Sequence, residues 1–175
     1  MKIRRATITD AEGVARVQVD SWRSTYEHIV PEEYLTSMTY ENRAQKWKKM
    51  ITKQLVYVAE NREGNIIGFS NGGQERSRNY PDYEGELYAI YVLKEHQRSG
   101  VGKRLLEPII HELNKMNIHS MLVFVLADNN SRFFYERLGA EKIDTTEIEV
   151  SGKTLDEVVY GWKDIRDLLT YITKY

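Results

Sequence analysis

Apolar residues change their spacing several times along this chain, and each change marks an element. Residues 2–6 predict a short opening strand. Ala11, Val14, Ala15, Gln18, Trp22 and Thr25 then fall on one helical face, with Thr9 or Asp10 as the cap that offers a side-chain oxygen to free N–H groups. SWRSTYEHIVPEEYL (21–35) passes through a Pro31 break into a second short helical piece. Ala44, Trp47 and Met50 give a third helix over 40–51. LVYVAE at 55–60 is β-branched and aromatic, hence a strand, and the NREGN turn returns it to a second strand over 66–70. The turn-rich run NGGQERSRNYPDYEG (71–85) predicts a loop.

ELYAIYVL at 86–93 is apolar on both faces, the pattern of a central strand covered from above and below. HQRSGVGKRLL (96–106) follows. A helix begins there, with Leu105, Leu106, Ile109, Ile110, Leu113 and Met116 at helical spacing and a bend expected at Pro108, which lacks an N–H. SMLVFVLA (120–127) is a second buried strand. DNNS caps a short helix over 132–138 that Gly139 ends, and 142–150 with 155–162 form a closing hairpin across an SGK turn. The strand–helix–strand unit over 86–127 implies a parallel pair. The prediction is an α/β chain of mixed α+β type, one domain over 1–175: a mixed, mostly antiparallel sheet with helices on both faces.

Charge narrows the partners. Lys plus Arg total 25 and Asp plus Glu 26, a net charge of −1, so no broad field attracts nucleic acid. No run approaches the ~18 apolar residues of a membrane span, and the first residues lack a signal-peptide core, so a cytoplasmic protein without membrane contact is expected. Cysteine is absent, which removes disulfides, thiolate metal sites and a cysteinyl acyl-enzyme. HELNK at 111–115 has Lys115 where a zinc motif needs histidine, and no metal is expected.

The chemistry centres on the glycine loop. A loop between a buried strand and a helix N-terminus carries free N–H groups and the positive end of the helix dipole. Glycines let the backbone approach a ligand, and Gln97, Arg98, Lys103 and Arg104 add polar or positive groups. Spacing alone leaves two readings open: an anion site over 98–103, or a turn with solvated basic residues. A P-loop is excluded, since Gln97 stands where its first glycine belongs and Arg104 where its Ser or Thr belongs. A dinucleotide fingerprint is excluded by Leu105 at its third glycine.

A third pattern matches. Gln97-x-x-Gly100-x-Gly102, with ELYAIYVL before it and NNSRFFYERLGA after it, resembles the acetyl-CoA signature of the GCN5-related N-acetyltransferase (GNAT) superfamily. The likeness is strongest over 84–141; SWRSTYEHIVPEEYL and EVVYGW extend it to most of the chain. It implies acetyl-CoA as cosubstrate, with its pyrophosphate on Gln97, Arg98, Ser99, Gly100, Val101, Gly102 and Lys103. Pantetheine would lie along Ile90, Tyr91 and Val92, where that family's strand splays from the next because a bulge interrupts pairing. Asn129 matches an asparagine that reaches the cofactor, although it also suits a helix cap, a place Asn130 could take instead. Tyr135 matches the tyrosine that protonates the leaving thiolate; a phenol near pKa ~10 is matched to an alkyl thiol. Glu86 matches a catalytic glutamate, the general base. Trp22 and Tyr26, with Arg23 and His28, would wall the acceptor pocket, and Glu84 and Asp82 would give it an acidic cast suited to a cationic amine. The activity implied is transfer of acetyl from acetyl-CoA to a primary amine, small-molecule or peptide, by direct attack in a ternary complex. The rival reading is a non-catalytic acyl-CoA sensor. The closing hairpin offers an edge on which a homodimer could pair.

Overall fold

The computed structural model describes residues 1–174. Seven strands, β1 (Lys2–Arg5), β2 (Leu55–Glu60), β3 (Ile66–Gln74), β4 (Gly85–Val92), β5 (Met121–Leu126), β6 (Glu141–Val150) and β7 (Lys153–Trp162), form one sheet in the order β1-β2-β3-β4-β5-β7-β6. Every neighbouring pair is antiparallel except β4 and β5. The helices are α1 (Ala11–Tyr26), α2 (Glu32–Ser37), α3 (Tyr40–Met50), α4 (Val101–Lys115), α5 (Arg132–Arg137) and α6 (Ile165–Lys174). None is long and apolar enough to cross a membrane.

The two faces have separate cores. On one, Val14 and Val17 of α1 and Trp47 of α3 pack on Val56, Val58 and Phe69, with the Trp47 and Phe69 rings edge-to-face at 4.9 Å. On the other, Leu106, Ile109, Ile110 and Leu113 of α4 cover Leu87, Met121 and Val123. The α4 pattern therefore folds as its spacing predicts, and the helix runs unbroken through Pro108.

Four expectations change. First, β3 runs on to Gln74, so NGGQ is strand and the loop begins later. Its glycines mark close approach rather than a turn: a Cβ at Gly72 would stand 2.8 Å from the Glu86 carbonyl oxygen and 3.0 Å from Ile109. Second, α6 follows the last strand, burying Ile165, Leu168 and Ile172 against the α4 core. Third, Asp10 does not cap α1. Its carboxylate turns back to accept the Thr7 N–H at 2.8 Å and the Arg4 guanidinium at 2.7 and 2.8 Å. Fourth, the bulge lies between β3 and β4. Asn71 pairs with Ala89 and Gly72 with Leu87, leaving Tyr88 as the extra residue.

That bulge sits at the site where β4 leaves β5. The parallel pair holds only over Gly85–Leu87 against Met121–Val123, and from Tyr88 onward the two strands diverge.

Candidate active site

A cavity of about 560 Å³ occupies the gap between the diverging strands. Trp22, Tyr26, Glu86, Ile90, Tyr91, Asn129 and Tyr135, all singled out from sequence, line it together. Val92 and the 97–103 loop lie outside its lining, as do Asp82, Glu84, Arg23 and His28. Glu84 and Asp82 are exposed, and Arg23 is instead engaged with the Met38 carbonyl and the Tyr40 ring. Arg76 and Glu157, which sequence reasoning passed over, join the lining.

One wall is aromatic. Trp22 and Tyr26, one helical turn apart on α1, bring their rings to 4.5 Å. The Tyr26 hydroxyl accepts from Asn129 Nδ2 at 3.0 Å, while Asn129 Oδ1 accepts the Ser131 N–H at 2.8 Å. Asn129 thus faces the cavity and orders the entry to α5 at once; Asn130 is not needed for the turn. Trp22 Nε1 is buried without a hydrogen bond of good geometry. Tyr135 is buried among the rings of Phe134, Tyr160 and Trp162. Burial, seconded by the nearby Tyr26, pushes its hydroxyl well above the ordinary phenol value. Burial raises Tyr26 and Tyr91 as well. These phenols all hold their protons at neutral pH.

Other residues of the lining carry charge. Glu86 is 2% exposed, and its carboxylate accepts the Arg76 backbone N–H at 3.0 Å, Nη2 at 2.6 Å and Nε at 3.2 Å. The Arg76 guanidinium lies over the Tyr88 ring, 3.9 Å from its centroid, so the bulged tyrosine positions the arginine. Glu157, on β7, is half-buried. Burial raises its carboxyl above the ordinary range, Glu86 adds to the rise, and Arg76 opposes it. Because β7 alternates faces, Glu157 shares a face with Leu155, which packs beside Val19 and Tyr26.

The glycine loop sits at the far end of β4. Gln97 Nε2 donates to the Val92 carbonyl at 3.0 Å, and Ser99 Oγ to the His96 carbonyl at 2.6 Å, which fixes a turn just before α4. Arg98 and Gly100 are left-handed, at φ 58 and 82°. Gly100 is the N-cap of α4, and no side chain caps that end. The first N–H groups of the helix therefore have no side-chain cap, and the backbone over 97–100 before them is exposed, features that suit an anion. A pyrophosphate fits there, and β4 beyond Leu87, paired with β3 but open on its β5 side, offers backbone groups to an amide-bearing arm. Gly102 serves packing: a Cβ there would stand 3.2 Å from Phe134, so α5, with Tyr135, lies close against α4. Among the described residues no group of three or more His, Asp or Glu could hold a metal ion.

Known proteins resemble this chain in sequence and fold. Residues 77–148 match the family model described as FR47-like protein. An uncharacterized N-acetyltransferase of Bacillus subtilis, YuaI, is 39% identical over 172 residues, covering 98% of each chain. The spermidine N(1)-acetyltransferase of Thermoplasma acidophilum is 25% identical over 152 residues, 83% of this chain and 91% of that one. The crystal structure of the PaiA N-acetyltransferase from the same organism, in complex with coenzyme A, has 26% identity and a TM-score of 0.72, covering 89% of this chain and 96% of that one. Identity of 39% over nearly the full length of an N-acetyltransferase, on a sheet split at its parallel pair, makes this chain a member of the GNAT superfamily and an acetyl-CoA-dependent acetyltransferase.

Proposed function

We propose that the protein moves the acetyl group of acetyl-CoA to a primary amine that attacks directly while both substrates are bound. The observation that carries this is the cavity at the strand divergence, which Tyr135, two carboxylates and the Trp22–Tyr26 pair line together. The absence of cysteine leaves no thiol to carry the acetyl group between substrates.

In this reading the N–H groups of residues 98–103 hold the pyrophosphate, with Arg98 and Lys103 adding charge, and Gln97 keeps the loop in shape. The backbone of Ile90, Tyr91 and Val92 holds the pantetheine arm, and Asn129 flanks it. The cosubstrate supplies an activated thioester. Tyr135 gives its proton to sulfur. Its raised pKa keeps the proton in place until a thiolate forms in the same dry surroundings, which raise the basicity of sulfur too.

Trp22 and Tyr26 wall the acceptor, and the unequal charge of Glu86, Arg76 and Glu157 favours a cationic one. The Thermoplasma relative, a spermidine N(1)-acetyltransferase, agrees with that class. Glu84 and Asp82, exposed outside the cavity, act at most on approach of the amine. Thiol release from acetyl-CoA with a panel of amines tests the reading. Tyr135→Phe should lower kcat about 100-fold with coenzyme A affinity unchanged. Unaltered turnover in that variant removes Tyr135 from the reaction.

A further inference from the structure

We propose that Glu157, rather than Glu86, receives the acceptor's ammonium group and takes its proton. This rests on the acetyl-transfer reading above and assigns its base.

Glu86 is already committed. Its carboxylate is closed by the Arg76 backbone N–H and guanidinium, and the ion pair is neutral as a unit. Glu157 lines the same cavity, yet among the described residues its side chain has no hydrogen bond or ion pair. The groups that face it electrostatically are Glu86 and Arg76 by the β4 bulge, Tyr26 of α1, and Tyr80 in the loop before β4. The Glu86–Arg76 pair cancels and both tyrosines are neutral, so Glu157 supplies the uncompensated charge. Its register places it opposite Leu126 on β5 and Thr146 on β6, on the sheet face of α1, across the sheet from α4. An amine entering along the Trp22–Tyr26 wall meets Glu157. A half-buried carboxylate whose charged form is already disfavoured is also a better proton acceptor than an ordinary one.

The protons balance. The ammonium nitrogen gives one proton to a Glu157 oxygen. Its freed lone pair forms the C–N bond at the thioester carbonyl carbon as the C–S bond breaks. The nitrogen's second surplus proton replaces the one that Tyr135 gives to sulfur, and Glu157 releases its own to solvent.

Glu157→Gln, Glu157→Asp and Glu86→Gln, each in the full chain, test the assignment. Thiol release is measured against pH with the best amine of the panel, coenzyme A binding by calorimetry, and glutamate carboxyl titration by carbon NMR. Glu157→Gln should lower kcat/KM about 100-fold or more and remove the acidic limb of its pH profile, with coenzyme A affinity within about twofold. Glu157→Asp should recover part of the rate. One glutamate carboxyl of the wild type should titrate above the ordinary range and vanish from the Glu157→Gln spectrum. Glu86→Gln should lose thermal stability but less activity. A folded Glu157→Gln protein with near wild-type rate and pH profile overturns the proposal while leaving acetyl transfer standing. The same holds if folded Glu86→Gln is the more damaged enzyme, or if no upshifted carboxyl is seen. A wild type that acetylates no amine overturns both.

Discussion

The two ends of β4 are built from different materials. At its end beyond Val92, the loop through Gly100 presents backbone: uncapped N–H groups, left-handed residues and side chains spent on holding the turn. At its beginning, around Glu86, the site is made of side chains brought from far apart in sequence: Arg76 from the preceding loop, Trp22 and Tyr26 from α1, Glu157 from β7. A backbone site tolerates side-chain change but not a change of φ. A side-chain site tolerates neither the loss of a charge nor the loss of its counter-charge. In the proposed reading the contrast separates the holding of the cosubstrate from the acceptor side, where one fold can vary its partner.

The sharpest way to break the comparison is Arg76→Ala. It strands the buried Glu86 carboxylate, and the expected cost is about 2 kcal/mol, below the range for a fully buried pair because the guanidinium side chain is 58% exposed. Urea unfolding should show that loss, and the KM of a cationic acceptor should fall, because a second uncompensated carboxylate now lines the cavity, while coenzyme A affinity stays within about twofold. An equal change in coenzyme A affinity would mean that the two ends are one site. Gly100→Val attacks the other end. Nothing lies within 4 Å of a Cβ there, so the sole penalty is the left-handed backbone, about 1–2 kcal/mol. Coenzyme A binding measured by calorimetry should weaken roughly tenfold with little change in acceptor KM. Asp10→Asn, outside both ends, is the control. Hydrogen bonds from Arg4 hold the Asp10 carboxyl below its ordinary value. Its stabilisation is therefore full above the unfolded value near pKa ~3.9 and is lost as pH falls through the lower folded value. The variant should lose about 1 kcal/mol near neutrality and converge with the wild type in acid, with acetyl transfer unchanged.

The same division explains what could be read from the sequence. The backbone end was legible because its signals are local: an apolar strand, two glycines one residue apart, then an apolar helical stripe. The place of Tyr135 in the cavity lining was legible from its immediate neighbours FYERLG. The side-chain end was not, because Arg76 and Glu157 join Glu86 only through strand register and a bulge. Nothing in NGGQERSRNYPDYEG announces that its first four residues extend β3 and that Arg76 then turns back to β4. Gly72 reads as a turn former and is in fact a spacer that lets α4 reach the sheet. The miss at α6 was different, since Asp164 followed by Ile165, Leu168, Leu169 and Ile172 is an amphipathic helix in plain sight.

The short parallel pairing of β4 with β5 has one more consequence. Past Leu87 and Val123 the sheet has an interior edge, two strands whose facing N–H and C=O groups lack their natural neighbour. In the proposed reading, a peptide-like pantetheine arm laid in that gap acts as a missing rung of the ladder. Without it, the gap is a place where a foreign strand can add, the ordinary route from an open edge to aggregation. The cosubstrate is then also a guard on solubility, and protein stripped of coenzyme A should be the more prone to aggregate.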